Sequence, residues 1–244
     1  MKRQTILVLA IIVVVTATSV SFADLSDGLV AYYPFSGNAN DESGNGNHGV
    51  VLGDTALTLD MFGNANSAYS FDGSGDYIRA SANNLPTADR TVSLWFYTDA
   101  VNASPYNPGY RPNLIGYGGG GIGRSWLMGI NHWGHKSMGI TCHYNVNTLE
   151  YFYGTDEPVG DWYHFAITTF ATGTQIYIDG DMKASNSNFI NNTYVNNKHL
   201  AIGVAVSTNG YAPYIDNNVG YFKGIMDNIR IYDRALSPSE IQEL

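Results

Sequence analysis

The chain has 244 residues, and its 12 Lys and Arg face 21 Asp and Glu, a formal net charge of −9 at pH 7. An acidic surface is repelled by phosphate backbones, which excludes nucleic acid as a partner. A single cysteine, Cys142, excludes an intrachain disulfide, so an exported form must be held by its core, with or without a metal.

At the N-terminus Lys2 and Arg3 precede an apolar run from Ile6 to Val15, and Ser21 and Ala23 place small residues where a signal peptidase reads. The run is shorter than the ~20 residues a helix needs to cross a bilayer. This order predicts a signal peptide over residues 1–23 and a mature domain over 24–244. Cleavage removes two bases and no acid, which leaves 221 residues at −11. One large β domain reaches that size undivided. No second apolar run of membrane length follows, so no membrane span is expected in the mature chain. The expected location is secreted, cell surface or periplasm, and the lack of cysteine pairs fits a bacterial source.

Short runs of β-branched and aromatic residues then alternate with Gly, Asn and Asp clusters, the pattern of an antiparallel sandwich or barrel. The predicted strands are Leu29–Phe35, Ala68–Phe71, Tyr77–Ala80, Thr91–Tyr97, Asn113–Tyr117 and Trp126–Ile130. Met138–His143, Leu149–Tyr153, Trp162–Phe170, Gln175–Ile178, His199–Gly203 and Gly224–Tyr232 follow. In Thr91–Tyr97, Val92, Leu94 and Phe96 share one face. Trp95 and Tyr97 load the other face, which marks a central strand covered on both sides. Asp179-Gly180 supplies the positive φ angles of a two-residue hairpin. One short C-terminal helix is expected, with Ser237 as N-cap, Pro238 at the first helical position and Glu240 completing a capping box.

Six segments, in order, resemble one pattern. They are Gly28–Gly49 (with Tyr32-Tyr33-Pro34-Phe35-Ser36-Gly37-Asn38), Ser70–Ile78 (with Phe71-Asp72-Gly73), Thr91–Phe96, Asp161–Ala166, Gln175–Gly180 and Phe222–Ser237 (with Met226-Asp227-Asn228-Ile229-Arg230-Ile231-Tyr232). The mature chain resembles the laminin-G-like (concanavalin A-like lectin/glucanase) jelly rolls of bacterial secreted proteins. The resemblance implies an all-β, two-sheet antiparallel β-sandwich with the first and last strands adjacent. It does not choose a function, because the fold hosts lectins, adhesion modules, carbohydrate-binding modules and glycosidases.

Asn38–His48 is dense in oxygen donors, as calcium requires, although the same residues are ordinary turn formers. The resemblance implies a structural calcium between this loop and the last strand, with Asp41 and Asp227 as carboxylate ligands and Asn38 and Asn47 as lesser ones. His132, His135 and His143 lack the spacing and companions of a zinc site. His164 is read as a packed strand residue. Gly118–Gly121 and Gly123 do not open a helix, so they form a hairpin loop and not a phosphate cradle.

The glucanases of this fold carry Glu-x-Asp-x-x-Glu on one strand, and this chain has no such motif. No catalytic residue is assigned. Two long loops, Asp99–Pro112 and Ala205–Gly220, are rich in Tyr and Asn and nearly free of Lys and Glu. Tyr106, Tyr110, Tyr211 and Tyr214 are therefore the expected ligand-binding residues. The reading is a non-catalytic binding or adhesion domain for glycan or extracellular protein ligands. Its rivals are a divergent glycoside hydrolase or polysaccharide lyase, and a self-associating surface or fibre subunit.

Overall fold

The computed structural model describes residues 24–99, 111–130, 137–141, 148–153, 158–189, 192–215 and 219–244. The expected signal peptide lies outside them, as do Tyr106, Tyr110, His132, His135, Cys142 and His143. No helix among the described residues is long and apolar enough to cross a membrane.

Sixteen strands and one helix follow in chain order: β1 (Leu29–Tyr33), β2 (Val50–Leu52), β3 (Ala56–Thr58), β4 (Ala68–Asp72), β5 (Tyr77–Ser81), β6 (Arg90–Tyr97), β7 (Arg111–Gly118) and β8 (Ser125–Ile130). The series continues with β9 (Ser137–Thr141), β10 (Thr148–Phe152), β11 (Trp162–Phe170), β12 (Gly173–Ile178), β13 (Asp181–Asn186), β14 (His199–Ile202), β15 (Val219–Gly220), β16 (Lys223–Tyr232) and α1 (Pro238–Gln242). The first sheet runs β13-β12-β11-β6-β16-β4-β3, with β1 also on β16; the second runs β10-β9-β8-β7-β14-β5-β2, with β15 on β7. The chain is thus an all-β jelly-roll sandwich.

The long last strand sets the topology. One edge of β16 pairs with β4 through Lys223–Met226 and with β1 through Ile229–Tyr232, while its other edge pairs with β6. First and last strands are therefore neighbours, as the resemblance implied. The central place predicted for Thr91–Tyr97 holds, since β6 lies between β11 and β16. Val92, Leu94 and Phe96 enter the main core with Phe165, Ile167, Ile176, Met226, Ile229 and Ile231. The second sheet meets them with Ile78, Ile115, Tyr117, Trp126, Met128, Ile140, Leu200 and Ile202. β5 shows the period-2 alternation that sends one face inward, whereas β8 is buried on both faces.

Local signals act where the sequence placed them. Asp179 and Gly180 have φ of 51° and 79°, and Ile178 pairs with Asp181 across that two-residue turn. Ser237 caps α1 with a reciprocal Glu240 capping box. The short edge strands β2 and β3 carry no alternation long enough to stand out from the loops around them, and the sequence reading passed over both.

Each sheet also has a covered outer face. On the first, Ala166, Tyr177 and Tyr232 pack beneath Leu236 and Ile241. On the second, Leu127 and Ala201 pack beneath Val204, Ala205, Val206 and Ala212, with Tyr77, Tyr214 and Tyr221 against them. The segment 204–215 therefore folds across part of the second sheet and leaves its β2–β5 side uncovered.

Candidate functional site

The uncovered strip is an open groove of about 440 Å³ between the β2 edge and the 204–215 segment. Strand alternation makes it polar. Ile78 and Ala80 point into the core, so Arg79 and Ser81 must point out of β5. Register sets their neighbours: Val50 and Ala201 flank Arg79, and His199 faces Ser81. Two turns close one end with Asn83, Asn197 and Lys198. The Asn197 N–H donates to Asn83 Oδ1 at 2.7 Å, which joins the turns.

The loop side is firmly built. His199 N–H donates to the Gly210 carbonyl at 2.8 Å, and its Nδ1 accepts the Ala212 N–H at 3.0 Å. The His199 ring meets Tyr211 edge-on, with centroids 5.2 Å apart. Lys198 Nζ stands 4.9 Å from the Tyr211 ring centre and 5.8 Å from that of Tyr194. A side chain at Gly210 would drive its Cβ to 2.5 Å from Lys198 Cδ, so only glycine lets the lysine stem lie across this turn. Burial, then the charges of Arg79 and Lys198, hold the His199 pKa below its ordinary value. With Nδ1 accepting the Ala212 N–H, the ring proton sits on Nε2.

Of the four expected ligand-binding tyrosines, Tyr211 is 48% exposed beside this groove. Tyr214 is half-buried against the cluster beneath the segment, where its ring helps hold the loop down. The described C-terminal ends of the two long loops meet, Val219 and Gly220 pairing in parallel with Arg111 and Pro112. The glycine-rich hairpin is tied in place, with Gly119 N–H on the Tyr194 carbonyl and Gly120 and Gly121 N–H on that of Thr208.

The expected calcium ligands are given separate tasks. Asp41 is buried, and its carboxylate accepts the N–H groups of Tyr32, Ser43 and Asn47, each at 2.9 Å. Burial pushes its pKa up, but these bonds outweigh it and hold the carboxyl below the usual range. The buried Asn47 donates its side-chain amide to the Val30 carbonyl, and Asn38 accepts the Asn40 N–H. These three residues fold their own loop. Asp227 is on β16 opposite Trp95, where two residues of β16 oppose one of β6 and Asn228 turns to φ 49°. Its carboxylate accepts only from Asn228, at 2.7 and 2.9 Å. Burial drives its pKa up to about 6, with the Asp60 charge adding and Arg230 opposing. No hydrogen bond joins Asp41 to Asp227, and among the described residues no three His, Cys, Asp or Glu gather as a metal cluster. Three backbone N–H groups thus take up part of the Asp41 carboxylate's accepting capacity. Asp227, a desolvated carboxylate short of donors, keeps the chemistry of a ligand.

Sequence reasoning missed the groove residues. Arg79, Asn83 and Lys198-His199 come from segments more than 100 residues apart that only the β5–β14 pairing joins.

Residues 72–242 match the family model for the concanavalin A-like lectin/glucanases superfamily. The chain belongs to that superfamily. Domain 4 of AbnA, a GH43 extracellular arabinanase from Geobacillus stearothermophilus solved with arabinotriose, superposes with a TM-score of 0.68 at 22% identity, over 88% of this chain and 97% of that one. The binding domain of Paraclostridial Mosquitocidal Protein 1 gives 0.65 at 18%, over 90% and 52%. The botulinum neurotoxin serotype D binding domain gives 0.64 at 17%, over 89% and 51%. The chain thus spans about half of each toxin domain. Comparison with curated protein sequences found no match.

Proposed function

We propose that the chain is an exported, non-catalytic carbohydrate-binding domain whose ligand lies in the groove along β2, β5 and β14. The observation that carries this reading is the lining of the groove. It is open, of the size of small-ligand sites, and set with guanidinium, ammonium, imidazole and amide donors on rigid strands and tied turns. Such donors match sugar hydroxyls, and the exposed Tyr211 ring stands at the margin to meet a sugar face. The arabinanase domain of the same fold, solved with arabinotriose, supports it. Glycoside hydrolysis needs two carboxylates flanking the scissile bond, and among the described residues neither Asp nor Glu lines this groove.

A structural calcium belongs to the same proposal, with Asp227 as the carboxylate that needs it most. A cation there would offset the cost of a buried carboxylate whose donors come from Asn228 alone.

The test is a glycan array probed with the full chain, with and without calcium, beside an assay for released reducing sugar on the glycans that bind. Saccharide binding without turnover is expected. Release of sugar from a bound glycan would replace this reading with a hydrolase or lyase. Binding to no glycan would overturn it.

A further inference from the structure

The groove is basic in a chain that is not. Against 21 acidic and 12 basic residues in the sequence, its walls hold Arg79, Lys198, His48 and His199 and no acid. Two cations of the described chain find carboxylates, Lys183 with Asp181 and Arg234 with Asp27 and Glu240, and the buried Arg90 is satisfied by Tyr117, Thr193 and backbone carbonyls. Among the described residues, no carboxylate pairs with Arg79 or Lys198. On the adjacent strands, Arg79 is opposite Val50 and Ala201, neither of which can accept a hydrogen bond through its side chain. Lys198 is held by two tyrosine rings and its stem by Gly210, a mounting that fixes the ammonium without neutralising it. Two half-buried cations within one groove repel each other, and an acidic protein has many carboxylates that could have quenched them. The arrangement is stabilised when an anion enters.

We infer that this groove selects acidic saccharides, with Arg79 and Lys198 taking the sugar oxyanion and Asn83, Asn197 and His199 taking neighbouring hydroxyls. The inference rests on the carbohydrate-binding reading above and narrows its ligand class. The guanidinium fork of Arg79 matches the two oxygens of a carboxylate, and it also suits a sulfate ester. Asn83 is pinned through its Oδ1 by Asn197, which leaves its amide hydrogens to donate. His199 is pinned through Nδ1 by Ala212, which leaves Nε2–H to donate. A saccharide that carries one oxyanion therefore meets charge and fixed neutral donors together.

The experiment measures calorimetric affinity of the full chain for three probes: trigalacturonate, the neutral galactotriose and a sulfated galactotriose. Arg79→Gln and Lys198→Met are tested alongside, with melting temperature as the control for folding. At least tenfold tighter binding of one or both acidic probes is expected, with a loss of tenfold or more in each variant at unchanged melting temperature. Weakening as salt rises is expected too. Trigalacturonate ahead of the sulfated probe assigns the site to carboxylated sugars, and the reverse order to sulfated ones. Equal or tighter binding of galactotriose overturns the inference and leaves the carbohydrate-binding reading standing. Acidic binding that both variants keep removes the groove from the inference. Failure of all three probes overturns the inference, while the glycan array decides the wider reading separately. If Arg79→Gln fails to fold, Arg79→Lys keeps the charge without the fork and carries the test.

Discussion

On the outer face of the first sheet, Tyr232 and Ala166 lie under Leu236 and Ile241, and residues 236–244 seal the surface, with Trp95 Nε1 donating to the Leu244 carbonyl at 3.3 Å. On the outer face of the second sheet, the 204–215 segment covers Leu127 and Ala201 and stops short of Arg79 and Ser81. Both covers sit on a row of small or apolar residues. The first is a five-residue helix, too short to be stable by itself, so its place depends on apolar contact and a cap. The second is a loop tied by backbone bonds such as Ser207 N–H to the Tyr211 carbonyl, and its ring at Tyr211 faces outward. The comparison teaches that one face is finished for stability and the other is left open with its donors fixed. Substitutions under the first cover should therefore unfold the chain, and those beside the second should spare the fold and change binding.

The largest effect is expected at Ile241, which is 1% exposed beneath the first cover. Ile241→Ala should cost about 2–4 kcal/mol, read as a lower urea midpoint at unchanged slope. A loss below ~1 kcal/mol would mean that the helix is decoration and that the two covers do not differ in this way.

Next come two buried ionisable groups that flank Trp95 across neighbouring strands, His164 and Asp227. Burial, with Arg230 adding, pulls the His164 pKa down to about 4. Its unfolded value is about 6.5, so its share of stability is present above that pH and is lost as pH falls from 6.5 through 4. Asp227 works in the opposite sense. Its folded pKa of about 6 exceeds the ordinary 3.8, so the fold is favoured while Asp227 holds its proton and loses that share as pH rises from 3.8 through 6. Each shift corresponds to roughly 3 kcal/mol at most. The two slopes oppose each other between pH 4 and 6. In His164→Gln the metal-free protein should gain stability on acidification from pH 6 to pH 4, and in Asp227→Asn it should lose it. Calcium should flatten the slope that belongs to Asp227, because a bound cation keeps the carboxylate ionised. Chelator should lower the melting temperature of the parent and not that of Asp227→Asn. A parent indifferent to chelator at pH 7 would remove the calcium.

A smaller effect is expected at Glu240. It accepts the Ser237 N–H at 2.7 Å and pairs with Arg234 at 2.6 Å; this side-chain bond comes first in holding its pKa down to about 2. Glu240→Ala removes half of the capping box and should cost about 1–2 kcal/mol in the melting curve. The ion pair is partly exposed and adds little by itself. Glu240→Gln, which can still accept the Ser237 N–H, should recover most of the loss. Equal destabilisation by both substitutions would assign the effect to charge instead of the cap.

What was legible in the sequence follows the same division. Strong alternation exposed Thr91–Tyr97 and Trp162–Phe170, and the Asp179-Gly180 and Ser237–Glu240 signals fixed a turn and a helix because each acts within four residues. The groove is a product of pairing between β5 and β14, where Arg79 meets Ala201 and Ser81 meets His199 across 118 and more positions of chain. Neither partner carries a local mark. Asp41 was legible as a loop residue, but an oxygen that binds backbone N–H and an oxygen that binds calcium look alike in sequence. The three bonds from Tyr32, Ser43 and Asn47 show the backbone role, which nothing local in the sequence marks.

The smallest effect on stability, and the most informative about binding, is expected at Tyr211. Its ring is about half exposed; it touches His199 edge-on and stands over the Lys198 ammonium. Backbone bonds hold its loop without the ring, so Tyr211→Ala should shift the melting temperature by no more than about 2 °C. Its cation–π contact is worth about 0.5–1 kcal/mol, and Lys198 would keep the weaker contact with Tyr194. Binding should suffer more. The ring both fixes the ammonium and offers a face to the saccharide, and a loss of about 1.4 kcal/mol is tenfold in affinity. Calorimetry on the parent and Tyr211→Ala, with the best ligand from the array, should therefore show fivefold to tenfold weaker binding. The double substitution Tyr211→Ala/Tyr214→Ala should lower the melting temperature further, since Tyr214 packs on Ala201 and its neighbours. Unfolding by Tyr211→Ala alone would place that ring in the cover and reverse the contrast between the faces. A stable variant with parental affinity would move the ligand away from the loop side, toward His48 and the β2 edge.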